Sequence, residues 1–220
     1  MKIARVAIAA TAAFTVLAAQ ADTLVIDFDF LGPTFDYTAT LATPSQSITA
    51  SPFLVANQTT TASFVAFCIE PFVPLSASSA MLPGNATYSS ATPYNAVSVQ
   101  ALYNGYYGNA LSNGTEAAAF QFALWELVAE FTLSPNLTNG NFAFANAADP
   151  AVVRGQQMLA GIGAATNIYS LSAYTTSNAN LDRSQNVLTA VLVPEPGTYA
   201  MMVAGLALVG AAAARRRRSA

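Results

Sequence analysis

Apolar and polar residues follow a strand-like pattern in four stretches of the chain. Residues 23–30 (TLVIDFDF) place apolar side chains at every second position, and this period of two predicts a β-strand. Further strands are predicted at residues 35–41, 62–69 and 186–193, where the side chains are mostly apolar, β-branched or aromatic. The third and fourth of these strands are far apart in the sequence.

Helical patterns fill much of that interval. The longest covers residues 116–131 and follows two candidate caps, Asn113 and Thr115. Helices are also predicted at residues 96–107 and from Asp149-Pro150 to about residue 161. The segment 71–93, rich in Ser, Ala, Pro and Thr, predicts a loop. The predicted class is therefore α+β, with a β-sandwich-like body and a helical region inserted between Cys68 and the last strand.

The first 21 residues have the composition of a signal peptide. Lys2 and Arg5 precede an uncharged, largely apolar stretch at residues 6–18, and small residues flank Gln20 where signal peptidase would cut. We expect residues 1–21 to be removed and the mature chain to begin at Asp22. A buried N-terminal helix is the alternative, although the apolar stretch is short for a membrane span.

The other end carries a proline-rich break, an apolar stretch and a basic cluster. Pro194-Glu195-Pro196 is followed by an uncharged run at residues 199–214 and by four arginines at 215–218. This order predicts a single transmembrane helix with its C-terminus in the cytoplasm, serving as a temporary inner-membrane anchor. It resembles the PEP-CTERM sorting signal of Gram-negative bacteria. The resemblance implies that residues 194–220 are recognised by an exosortase and that the protein reaches the cell surface or extracellular matrix. An ordinary membrane anchor is the alternative.

Between these ends, residues 22–193 form the predicted exported domain. They hold two arginines and no lysine against ten carboxylates, a net charge of −8, which argues against a nucleic-acid partner. The chain has no histidine and one cysteine, so His-based triads, Cys-cluster metal sites and intramolecular disulfides are excluded. No cofactor or metal is expected.

Two short motifs in this domain carry the candidate chemistry. Cys68 lies late in the third predicted strand, within Phe-Cys-Ile, and Gln121 precedes Ala123, Leu124 and Trp125. Together they resemble the thioester domain of bacterial surface adhesins, although Phe120 stands where that family usually has threonine. The resemblance implies that Cys68 and Gln121 form an internal thioester with release of ammonia. It further implies a covalent adhesin that reacts with an amine on a surface protein or glycan.

A thioester stores an acyl group on a good leaving group and transfers it to a nucleophile. We expect backbone N–H groups near the helix start at Gln121 to stabilise the oxyanion. Glu70 and Glu126 are candidate proton acceptors. Aromatic residues are expected to keep water out of the site: Phe67, Phe120, Phe122, Trp125, Tyr103, Tyr106 and Tyr107. Each molecule would transfer once, so the protein would not be an enzyme.

Three alternatives remain open from the sequence. Cys68 fits a buried core residue equally well, in which case the protein would be a non-covalent structural component of the extracellular polysaccharide matrix. Cys68 could instead form an intermolecular disulfide. A glycoside hydrolase that uses paired carboxylates is the third alternative, although no pair stands out in the sequence.

Overall fold

The computed structural model describes residues 21–27, 35–73, 86–89, 92–93, 95–130, 134–163, 168–175, 185–193 and 196–218. The strands in these ranges are β1 (Ala21–Asp27), β2 (Tyr37–Thr43), β3 (Gln46–Ala50), β4 (Phe53–Asn57), β5 (Ser63–Cys68), β6 (Ala86–Ser89), β7 (Thr92–Pro93), β8 (Ala143–Phe144), β9 (Tyr169–Tyr174) and β10 (Val187–Leu192). The helices are α1 (Val97–Ala110), α2 (Gly114–Ala129), α3 (Pro150–Ala160) and α4 (Pro196–Arg218). All strand pairs are antiparallel, and the predicted α+β class is confirmed.

The larger sheet has seven strands in the order β6-β1-β4-β5-β10-β9-β7. Its centre joins β5 to β10, with Val187 opposite Cys68 and Leu188 opposite Phe67. The last three residues of β5 are all buried, although successive side chains of a strand point to opposite faces. Both faces of the sheet are therefore covered where Cys68 lies.

The smaller sheet has the order β3-β2-β8. Helix α2 contacts β2 and β3 of this sheet and also β5 of the larger one. Its residues from Ala117 to Leu127 are all buried, as expected for a helix that is apolar around its whole circumference. Two polar residues within this buried stretch, Gln121 and Glu126, must therefore find hydrogen-bond partners inside the protein.

Local capping explains where α2 and α3 begin. The Asn113 side chain accepts a hydrogen bond from the Glu116 amide at 3.0 Å, and the Asp149 side chain accepts one from the Ala151 amide at 2.9 Å. The two helices approach closely at Gly155, where a Cβ would lie 2.9 Å from a carbonyl oxygen of α2. The three predicted helices between β5 and β10 are confirmed.

Several strands differ from the sequence prediction. The predicted loop at 71–93 contains β6 and β7, and β3, β4, β8 and β9 had not been predicted. These strands are short, and pairing with distant neighbours decides their conformation. The predicted first strand is described as far as Asp27; residues 28–30 and most of the predicted signal peptide, residues 1–20, lie outside the described residues.

The C-terminal segment forms α4, which begins at Pro196. Pro194 and Glu195 lie outside the described residues. Across the part of the chain that the structure describes, no helix combines the length and the apolar character that a membrane crossing needs. The predicted membrane span is therefore not confirmed.

Candidate functional site

A cavity of about 520 Å³ lies beside the end of β5. Cys68 lines it together with Gln121 and Trp125 of α2, and with Gln185, which precedes β10. The remaining walls come from β3 of the smaller sheet, from the residues next to that sheet, from β4 of the larger sheet and from the segment after β5. They are Gln46, Ser47, Ile48, Thr49, Asp36, Ser51, Phe53, Pro71, Phe72 and Val73. The structure therefore brings Cys68 and Gln121 to one site, as the sequence motifs predict.

Cys68 is a free cysteine with 7% of its surface exposed. Burial raises its thiol pKa well above the ordinary value, and the nearby charge of Glu70 raises it further. The thiol is therefore protonated at neutral pH, and its Sγ donates a hydrogen bond to Oε1 of Gln185. An uncharged sulfur is the form that this apolar setting favours.

Gln121 contacts the main chain of Cys68 rather than its sulfur. Its Nε2 donates to the Cys68 carbonyl oxygen at 2.8 Å, and its Oε1 accepts from the Cys68 amide at 3.0 Å. The expected placement near a helix start is wrong, because α2 begins at Gly114 and Gln121 lies near its middle. Amides at that depth are engaged in the helix itself, and within the described ranges the main-chain donor to this carboxamide is the Cys68 N–H.

Gln185 is the site residue that the sequence patterns did not single out. Its side chain is 6% exposed and lies between Cys68 Sγ and the carbonyl oxygen of Glu70, to which its Nε2 donates. Its position follows from the strand register, since Val187 pairs with Cys68 two residues later. Only knowledge of that β5–β10 pairing would have pointed to Gln185.

The two predicted proton acceptors occupy different surroundings. Glu70 adjoins the site, and its Oε2 accepts a hydrogen bond from the Asn186 amide at 2.9 Å. Glu126 is not among the residues that line the cavity; its Oε1 accepts from the Asn136 amide at 2.7 Å. Burial raises the pKa of Glu126, and the charge of Glu130 adds to this. No cluster of three or more potential metal ligands occurs within the described ranges.

Comparison with known proteins identifies the end of the chain and the fold of its body. Residues 192–218 match the PEP-CTERM protein-sorting motif. The predicted sorting signal is confirmed. No curated protein matches the chain.

Solved structures of thioester domains resemble the body of the chain. The N-terminal thioester domain of a surface protein from Clostridium perfringens covers 79% of this chain and 100% of its own, with a TM-score of 0.52 and 12% identity. A cysteine-to-alanine mutant of such a domain covers 65% of this chain and 90% of its own, with a TM-score of 0.45 and 12% identity. The first alignment shows that the chain shares the fold of a thioester domain.

The predicted aromatic wall divides into separate groups within this fold. Trp125 lines the cavity and stacks on Phe122 with ring centroids 6.1 Å apart. Phe67, Phe120, Tyr103 and Tyr107 instead form a buried or half-buried cluster, in which the Phe67 and Phe120 centroids are 4.8 Å apart. Phe120, which replaces the usual threonine of the motif, therefore fills core space. Tyr106 lies farther off, beneath the Arg154 guanidinium.

Proposed function

We propose that the protein is a surface-displayed covalent adhesin whose thioester joins Cys68 to Gln185. The observation that carries this assignment is the contact between Cys68 Sγ and the Gln185 carboxamide. The carboxamide of Gln121, the acyl donor implied by the sequence resemblance, is held on both its polar atoms by the Cys68 main chain. We therefore assign Gln121 a positioning role, in which it fixes the backbone that carries the sulfur.

Formation of the bond exchanges nitrogen for sulfur at Gln185. The Cys68 sulfur bonds to the Gln185 carbonyl carbon, the C–N bond breaks, and the thiol proton leaves with the nitrogen as ammonia. The Gln185 Nε2 is hydrogen-bonded to the Glu70 carbonyl oxygen, which orients the leaving group. The Glu70 carboxylate, whose charge acts on Cys68, is the proposed proton carrier.

Burial of the site would protect the stored bond. A thioester carries no charge, as the protonated thiol carries none, so the buried site can hold the bond without the cost of a buried thiolate. The same environment that raises the thiol pKa makes expulsion of a bare thiolate unfavourable. Cleavage therefore requires a proton for the sulfur, which an attacking amine brings with it.

Attachment to a partner completes the sequence. The amine nitrogen bonds to the Gln185 carbonyl carbon, the C–S bond breaks, and the amine proton passes to Cys68 Sγ. The product is an amide together with a free thiol. Because the transfer consumes the stored thioester, each molecule would react once and would not turn over.

The sorting motif supports display outside the cell. We propose removal of residues 1–21 by signal peptidase, transient anchoring in the inner membrane, and recognition of the tail by an exosortase. Substitution of Pro194→Ala together with Glu195→Ala should then leave the protein in the inner-membrane fraction. Appearance of the doubly substituted protein on the cell surface in wild-type amounts would contradict this route.

A non-covalent matrix component is the second candidate function. Cys68 belongs to the main cluster of buried hydrophobic residues, and a small buried thiol needs no chemistry to explain it. Under this function the sulfur would stay reduced, and the surface alone would contact polysaccharide.

Intact mass before and after methylamine treatment distinguishes the two functions. The thioester predicts a mass lower by one ammonia, conversion to a methylamide at Gln185, and release of an alkylatable thiol. An unmodified mass with a reactive thiol after unfolding would favour the matrix component.

A further inference from the structure

The smaller sheet ends in a strand without the usual protection of a sheet edge. β3 pairs only with β2 among the described residues, and its sequence QSITA has no charge and no proline. Exposed edges are templates for another strand unless they are short, charged or interrupted by proline. Of the other edge strands, β7 and β8 have two residues each, β7 contains Pro93, and β6 has four residues, whereas β3 has five.

The candidate thioester site lies along β3. Four consecutive residues of β3, numbered 46–49, line the cavity. Neighbouring side chains of a strand point to opposite faces of the sheet. A cavity that contacts consecutive residues of one strand therefore follows the length of that strand and is not confined to one face of the sheet. No β2 residue lines this cavity, although Asp36 and Ser51, which adjoin one end of the β2–β3 pair, do.

Two further features of the cavity fit a peptide guest. Trp125 is 2% exposed, and its indole N–H has no acceptor among the described residues. A guest carbonyl oxygen would provide one, and a buried unpaired donor is otherwise costly. Asp36 is the single charged residue in the cavity lining and is exposed, so the wall offers a carboxylate to an approaching ammonium group.

We propose that the amine partner is an extended, lysine-bearing protein segment that adds to the free edge of β3 and presents its lysine to the Gln185 carbonyl carbon. This inference rests on the proposed thioester function and names its substrate class. Main-chain hydrogen bonds to β3 would hold the segment, as in other cases of strand addition. The lysine nitrogen then bonds to the Gln185 carbonyl carbon as the C–S bond breaks, and a nitrogen-bound proton passes to sulfur.

Peptide reactivity tests the proposal on the full-length protein. The probes are methylamine, glucosamine, a blocked single lysine and blocked peptides with one central lysine flanked by β-branched residues. The rate of adduct formation is followed by intact mass. Two net main-chain hydrogen bonds correspond to about 30-fold in apparent affinity, so the peptides should react about that much faster than the blocked lysine at equal, subsaturating concentration.

N-methylated peptides identify strand pairing. In a strand, alternate N–H groups point to the same side, so methylation at one parity should remove the rate advantage and methylation at the other should preserve it. Thr49→Pro, in an exposed position of β3, should lower the peptide rate relative to the methylamine rate of the same variant. The methylation series tests the same pairing without altering the protein, whatever the folding yield of this variant.

The outcomes distinguish failure of strand addition from failure of the thioester function. Equal rates for the peptides and the blocked lysine, or equal effects of both methylation parities, would overturn strand addition while leaving the thioester in place. A glucosamine rate that exceeds the peptide rates would identify a glycan partner and likewise overturn it. Failure of methylamine to react at all would contradict the thioester function itself.

Discussion

Exchange of Gln185 and Gln121 for alanine, one at a time, should separate the acyl donor from the residue that positions the cysteine. Gln185→Ala removes the carboxamide that contacts Cys68 Sγ. We expect this variant to fold, to have its full calculated mass, to form no methylamine adduct and to expose one thiol on unfolding. The measurement is intact mass with thiol alkylation, before and after methylamine.

Gln121→Ala should produce the opposite pair of effects. It removes hydrogen bonds of 3.0 and 2.8 Å to the Cys68 main chain and leaves a buried donor and a buried acceptor unpaired. Each unpaired group costs about 1–3 kcal/mol, so the free energy of unfolding should fall by roughly 2–6 kcal/mol. The folded fraction should still lack one ammonia, because Gln185 remains beside the sulfur.

Gln156→Ala provides a matched control. Gln156 also holds main chain at two points, through the Leu137 amide at 3.0 Å and the Pro135 carbonyl at 3.2 Å, but it is not among the residues that line the cavity. It should lower stability without changing the mass or the adduct. An ammonia deficit that persists in Gln185→Ala, or disappears from folded Gln121→Ala, would refute the assignment and return the acyl donor to Gln121.

Three further substitutions test the packing and electrostatics of the fold. Burial raises the pKa of Glu126, so its neutral form stabilises the fold at acidic pH and that contribution is lost as the pH rises through the raised pKa. Glu126→Gln should therefore raise the urea midpoint of unfolding more at mildly alkaline pH than at acidic pH. An equal shift of the midpoint at both pH values would contradict this. Gly155→Ala would place a Cβ 2.8 Å from a Leu137 methyl and should cost about 1–3 kcal/mol, measured by thermal unfolding; an unchanged Tm would show that the helices can separate without cost. Arg154→Ala removes a 2.7 Å ion pair with Glu116 and should cost at most about 1 kcal/mol, less in high salt; a loss that does not depend on salt would assign the effect to packing.

The parts of the fold that depend on local chemistry could be predicted from the sequence. Asn113 and Asp149 cap their helices through contacts within three residues, so a short stretch of sequence is enough to predict where α2 and α3 begin. β3 and β6 lack such signals, because their small and polar side chains suit loops as well as strands. Their conformation depends on β2 and β1, which lie elsewhere in the sequence.

The sequence motifs could predict which residues meet at the candidate site, but not which of their atoms contact one another. The motifs place Cys68 and Gln121 at one cavity, but the start of α2 at Gly114 and the tertiary packing determine what the Gln121 side chain contacts. Gln185 approaches the sulfur through the β5–β10 register. That register joins residues more than a hundred positions apart, and no local pattern encodes it.

The position of Gln185 at the entrance to β10 has a mechanical consequence. In the proposed adduct, the partner is bonded at residue 185, and the matched sorting motif begins at residue 192. The covalent path between partner and tail would therefore run through one strand, β10 (Val187–Leu192), while α1, α2 and α3 lie outside it. Tension could separate this strand from β5 and β9 without breaking the covalent bond to the partner. A bond at Gln121 would instead place α3 and β9 within the segment that bears the tension.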